Sequence, residues 1–124
     1  MIEFKDLEIT KLGPTPNETY ADDLAPMLVP GEEIITSYRT IRDGVVFTNK
    51  RIISINIQGM TGKKVNYTSL PYSKIQTFSV ETAGFMDLDS ELDLWLSGRG
   101  HVKFAFVSNA KIADICRLIS EKVL

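Results

Sequence analysis

Hydrophobic positions change period along the chain and divide it into three stretches. Residues 1–30 hold no long period and are punctuated by Pro14, Pro16, Pro26 and Pro30. Between residues 33 and 107 the pattern is short runs of period two, as in strands with one buried face. Expected strands cover 34–42, 45–48, 51–58, 64–69, 74–81, 91–97 and 101–107. In the third, Ile53, Ile55 and Ile57 alternate with Ser54, Asn56 and Gln58. In the sixth and seventh, Leu92, Leu94 and Leu96 oppose Glu91, Asp93 and Ser97, and Val102, Phe104 and Phe106 oppose Lys103 and Ala105. After residue 107 the period becomes 3.6, and Ile112, Ile115, Cys116, Ile119 and Val123 fall on one helical face,.

Turn and cap chemistry place the boundaries. Asp43-Gly44, between two β-branched runs, predicts a two-residue type I′ hairpin, which needs φ > 0 at both central positions. Gly98-Arg99-Gly100 predicts a second tight hairpin. Thr15-Pro16-Asn17-Glu18 reads as a capping box with proline at the first helical position, opening a short helix that bears Tyr20, Leu24, Met27 and Leu28. Pro26 should end it near Ala25. Ser108 or Asn109 should cap the last helix. The pattern predicts a mainly β (α+β) chain: about seven antiparallel strands, a short N-terminal helical segment and a closing C-terminal helix. Residues 1–30 read as an N-terminal assembly segment and 31–124 as the β body, one domain overall.

Composition changes this picture little. At 124 residues, with 44% hydrophobic and 24% charged positions, the chain is long enough to bury roughly two-thirds of its unfolded surface without a disulfide or metal staple. Fourteen basic against 16 acidic side chains give a net charge of −2, so no general attraction to nucleic acid or to an anionic leaflet is expected. No apolar run approaches the ~20 residues of a membrane span, and the first residues lack the layout of a signal peptide. The one cysteine, Cys116, fits a reducing compartment. A cytoplasmic protein is expected.

Candidate chemistry is sparse. One His and one Cys, on different expected elements, do not make a catalytic pair, so no enzyme activity is expected. Cys116 lies on the apolar face of the last helix as a buried thiol, and His101 opens a strand as an edge or exposed residue. The alternating run Asp87, Asp89, Glu91 and Asp93 resembles the start of an EF-hand loop. The match fails where the loop needs Gly and finds Leu92, and where it needs a bidentate Glu and finds Gly98. Period two reads the run as the solvent face of a strand. None of the glycines follows a strand and opens a helix as a phosphate loop does, so no cofactor, metal or nucleic acid is expected.

The candidate binding residues are basic: Arg39, Arg42, Lys50, Arg51, Lys63 and Lys64. Gly59-Met60-Thr61-Gly62-Lys63-Lys64 adds an exposed methionine beside two lysines, enough for a weak contact with an anionic membrane.

The words Gly31-Glu32-Glu33-Ile34-Ile35, Arg42-Asp43-Gly44 and Phe47-Thr48-Asn49-Lys50-Arg51, with the final helix, resemble the small bacterial pleckstrin-homology-like (PH-like) family. The resemblance runs from about Leu24 to the C-terminus. It implies a PH-like barrel closed by the last helix, in a stand-alone, non-catalytic protein that assembles as a homo-oligomeric ring. In eukaryotic members, basic side chains of the first two strands surround a lipid head group beneath a long loop. Here the corresponding turn is short, and Asp43 would set a carboxylate where a phosphate would sit. The leading expectation is therefore a self-assembling scaffold that binds an unknown protein partner, with Ile2, Phe4, Leu7 and Ile9 as candidate oligomer contacts. Peripheral membrane or anionic-ligand binding through the basic residues is the alternative.

Overall fold

Alternation decides most of the architecture. In the computed structural model, which describes residues 7–60, 64–82, 89–98, 100–107 and 110–124, the strands are β1 (Leu7–Thr15), β2 (Ile34–Arg39), β3 (Gly44–Thr48), β4 (Arg51–Gln58), β5 (Lys64–Pro71), β6 (Ile75–Thr82), β7 (Ser90–Leu96) and β8 (Gly100–Phe106). The helices are α1 (Glu18–Leu24) and α2 (Ile112–Val123), and a 3₁₀ turn covers Tyr72–Lys74. All seven expected strands are present as β2–β8, with ends shifted by a few residues. The eighth, β1, replaces what the proline-rich start suggested.

By contact the chain forms two units, one of Met1–Gly13 with Tyr72–Leu124, the other of Pro14–Pro71. In the first, strands run in the order β1-β8-β7-β6. β6, β7 and β8 are antiparallel neighbours, whereas β1 joins β8 in parallel, with Leu7 opposite Val102 and Ile9 opposite Phe104. Leu92, Leu94, Val102, Phe104 and Phe106 point to a common buried face together with Ile9 and Leu12. Helix α2 packs near the 3₁₀ turn and β6 and buries Ile112, Ile115 and Ile119, the stripe its 3.6 period foretold. Its first residue follows Lys111, a left-handed residue at φ +56° without a side-chain cap; Ser108 and Asn109 lie outside the described residues. Gly98 and Gly100 of the expected hairpin have φ +76° and +105°, a region that disfavours other residues; Arg99 lies outside the described residues.

In the second unit the order is β5-β4-β3-β2, all antiparallel. Leu24 of α1 is fully buried against Val46, Ile53 and Ile55, with Tyr20, Leu28, Ile34 and Tyr67 around it. The helix ends at Leu24, ahead of Pro26 as expected,.

Two local readings are corrected. The capping box does not form: Thr15 Oγ1 bonds Thr19 Oγ1 at 2.7 Å, and the helix starts after Asn17 with no side-chain cap. Thr15 is the last residue of β1, two positions before the cap of the helix; the residue at the cap, Asn17, turns its carboxamide to β2, accepting from Ser37 Oγ at 2.9 Å and donating to the Ile35 carbonyl at 3.2 Å. The Asp43-Gly44 turn is not a two-residue type I′ turn either. β2 ends at Arg39, which pairs with Gly44, so the loop is Thr40–Asp43. Thr40 closes it: its amide donates to the Asp43 carbonyl at 2.7 Å, and its hydroxyl accepts from the amides of Arg42 and Asp43. Gly44 has no positive φ. It is needed for another reason, since a Cβ there would run into the Tyr20 hydroxyl and ring.

Candidate functional site

The segment leading into β2 and the turn between β3 and β4 are held together by a polar clasp. The Glu32 side chain is closed off from solvent and takes two bonds from Arg51, Nε to Oε2 at 2.9 Å and Nη2 to Oε1 at 3.0 Å. The Thr48 hydroxyl donates to Glu32 Oε2 at 2.7 Å and the Val29 amide to Oε1 at 3.0 Å. Burial alone would raise the carboxyl pKa. These hydrogen bonds and the Arg51 charge outweigh it and bring the value from 4.5 down to about 2,. Beside this pair, Asn49 accepts from the Glu33 amide at 2.8 Å and donates to the Gly31 carbonyl at 2.9 Å.

That clasp redistributes the basic candidates. Arg51 also donates to the Met27 carbonyl and to Ser69 Oγ, so its guanidinium is a structural group. Arg42 Nη2 donates to the Gly59 carbonyl at 2.6 Å, which joins the Thr40–Asp43 loop to the turn after β4. Asp43 faces inward, its Oδ1 accepting from the Ile57 amide at 3.1 Å. Arg39, Lys50 and Lys64 are exposed and hold no ion pair or side-chain hydrogen bond among the described residues. Lys63 lies outside the described residues. On the two joined loops Ile41 and Met60 each stand 102% exposed. This apolar tip among Arg39, Arg42 and Lys64 is what the basic residues share. Met60 was legible in its glycine-rich turn; Ile41 was not, because a strand was expected to run through it.

Of the candidate oligomer contacts, Ile2 and Phe4 lie outside the described residues. Leu7 is half-buried, and Ile9 is 3% exposed against its own sheet. Ile9 therefore has no side-chain surface left for a neighbour.

The first unit carries a different surface. Cross-strand pairing sets Trp95 opposite His101, Asp93 opposite Lys103 and Glu91 opposite Ala105 on the outer face of β7 and β8. Trp95 is 41% exposed and stacks on His101 at 4.9 Å between ring centres, 25° from parallel. His101 Nε2 meets Asp93 Oδ1 at 2.6 Å, and Lys103 Nζ lies 3.5 Å from Glu91 Oε2. The Glu91 and Asp93 charges, with a smaller contribution from Glu8, push the Lys103 pKa up, so the face has a net negative field. His101 is thus fixed by an aromatic and a carboxylate rather than standing free at a strand start. The carboxylates Glu91 and Asp93 occupy the solvent side of β7, as period two implied. At the far end of this face lies an open groove of about 360 Å³ bounded by Lys11, Glu81, Asp89, Ser90, Glu91 and Phe106, among others. Cys116 is half-buried on α2 and free.

Comparison with known proteins reads this architecture directly. The sequence pattern of the bacterial PH domain matches residues 3–123. The chain belongs to the bacterial PH domain family. It is 44% identical over 101 residues to the uncharacterised protein YjqA of Bacillus subtilis (strain 168), covering 80% of this chain and 81% of that one. Solved crystal structures are similar too, two of them at about 40% identity. A DUF1696 family protein with a pleckstrin-homology domain from Shewanella loihica PV-4 superposes with a TM-score of 0.77 at 39% identity, over 94% of this chain and 100% of that one. A pleckstrin homology domain from Shewanella amazonensis SB2B gives 0.62 at 41% identity, over 86% and 87%. The fold is therefore PH-like, mostly β with a C-terminal helix, and has eight strands instead of seven. In this bacterial PH domain, Gly31-Glu32-Glu33 and Thr48-Asn49-Lys50-Arg51 are the two sides of the clasp. The words that carried the resemblance report architecture and say nothing about a ligand. No helix among the described residues is long and apolar enough to cross a membrane.

Proposed function

We propose that this bacterial PH domain is a non-catalytic, cytoplasmic scaffold that assembles with copies of itself and presents a surface to a protein partner. One observation carries the reading: β5 ends its sheet, paired along its whole length with β4 and, among the described residues, with no strand on its other side. Between Lys64 and Pro71 it has no charged residue, and Val65 is 38% exposed. An uncharged stretch such as Val65–Leu70 is a template for another strand, because the lysine and proline that commonly blunt such edges stand only at its two ends,. The test is the absolute mass by light scattering after size exclusion. The full chain is expected at a discrete multiple of 13.9 kDa, and a Val65→Lys, Ser69→Lys variant at a lower multiple. A monomeric full chain would sink the reading.

A second reading has its own observation, the Ile41 and Met60 tip flanked by Arg39, Arg42 and Lys64. Apolar side chains ringed by cations suit the boundary of an anionic bilayer, each cation near the surface contributing about 1 kcal/mol. Sedimentation with phosphatidylserine vesicles, lost at high salt and in an Ile41→Asp, Met60→Asp variant, is its expected signature. Equal sedimentation with neutral vesicles would reject it.

A further inference from the structure

The open groove of the first unit has features that neither reading above uses. Its volume of about 360 Å³ falls within the roughly 300–1,000 Å³ of small-molecule sites. On one rim, Glu81 of β6 lies directly opposite Glu91 of β7 in the ladder, and Asp89 stands just before β7. Like charges that face each other across a ladder destabilise it. Lys103 lies 3.5 Å from Glu91, but Glu81 and Asp89 hold no ion pair among the described residues. Ser90, in the wall of the groove beside them, is only 5% exposed, and its hydroxyl makes no hydrogen bond among the described residues. Buried hydroxyls are normally paired, so one that opens on a groove is a bonding site for whatever enters it.

The opposite rim has the other sign. Lys11 stands at the register shift of β1, with φ +61°, and holds no ion pair among the described residues. From β1 to β6 is three strand spacings, about 14 Å along the sheet,, with Phe106 as an apolar wall between the rims. A metal ion does not suit this arrangement: the described residues contain no group of three or more His, Cys, Asp or Glu placed to hold one. An elongated organic molecule does. The unpaired groups are two carboxylates against one ammonium, and their complement is a molecule with two cationic nitrogens and one carboxylate. We propose that the groove binds a free basic amino acid. Its nitrogens bond to Glu81 and Asp89, with the Ser90 hydroxyl accepting beside them, and its carboxylate takes Lys11.

L-lysine is the probe, and cadaverine, the same molecule without its carboxylate, is the control. Added to the full chain, L-lysine should bind saturably in calorimetry and shift the backbone amide signals of Glu81, Asp89, Ser90 and Glu91 in NMR spectra. Cadaverine should bind about tenfold more weakly, having lost one charge-assisted pair. A Glu81→Gln, Asp89→Asn variant should weaken both probes by about tenfold or more. Lys11→Met should bring L-lysine down to the level of cadaverine and leave cadaverine unchanged. Lys11, Glu81 and Asp89 are exposed, so these variants should unfold at the temperature of the original, which separates lost binding from lost fold. Absence of saturable binding up to about 10 mM, or binding that ignores the Glu81→Gln, Asp89→Asn change, overturns the site. Equal affinity for the two probes, unmoved by Lys11→Met, overturns the two-ended ligand. Calcium chloride that shifts the same amides at lower concentration than L-lysine overturns it as well and gives the carboxylates to a metal ion. The mass in light scattering is a separate readout, so the self-assembly reading stands or falls without this one.

Discussion

Glu32 carries the largest electrostatic consequence of any residue described. Its carboxylate is closed from water and held by Arg51, Thr48 and the Val29 amide, with a pKa near 2 against 4.5 for a free glutamate. A group whose folded pKa is depressed stabilises the fold above its unfolded value and loses that contribution as pH falls toward the folded one. The difference corresponds to about 3 kcal/mol, present above pH ~5 and lost by pH ~2. Glu32→Gln is expected to lower stability at pH 7 by about 3 kcal/mol, since it leaves a guanidinium without its partner. The same change should flatten the loss of stability between pH 5 and 2, as read by urea denaturation at each pH. A variant whose profile parallels the original would mean that other carboxylates govern acid unfolding.

Periodicity sets the bounds of β4 and the face of α2 that its isoleucines mark. It does not set which side of β4 is covered: Ile52 and Ser54 are as buried as Ile53 and Ile55, and Ile57 is half-buried, so the strand has no single buried face. Disagreement arises wherever a residue answers to a distant partner. β1 was illegible because its alternation breaks: the register shifts between Ile9 and Leu12, where Lys11 takes φ +61°, so two inward residues stand three apart. The Thr15 box did not form because Thr15 ends β1, and the actual cap residue, Asn17, is drawn away by β2. The clasp, central to the candidate site, joins Glu32 to a guanidinium 19 positions on, a spacing that matches no local motif. Gly44 shows the same effect in a form that can be tested. It answers to the Tyr20 ring and not to a turn, so Gly44→Ala should cost about 1–3 kcal/mol by forcing that ring out. In a Tyr20→Ala background the same change should cost almost nothing. Additive costs in thermal or urea denaturation would place the strain elsewhere.

At the scale of the whole molecule, the two functional readings use different places, assembly the β5 edge and membrane binding the Ile41 and Met60 tip. The Ile41→Asp, Met60→Asp protein should therefore keep the mass of the original in light scattering while it loses sedimentation with phosphatidylserine vesicles. Loss of both would mean that one surface serves both. The parallel pairing of β1 with β8 has a consequence of a different kind. Leu7 lies opposite Val102, so this ladder joins two strands separated by most of the sequence. The unit from Pro14 to Pro71 is continuous and closes through near neighbours in sequence, whereas joining β1 to β8 carries the entropy of a loop that encloses most of the protein. Of the strand pairs described, this ladder closes the longest stretch of chain, so it is expected to be the slow step in completing the sheet.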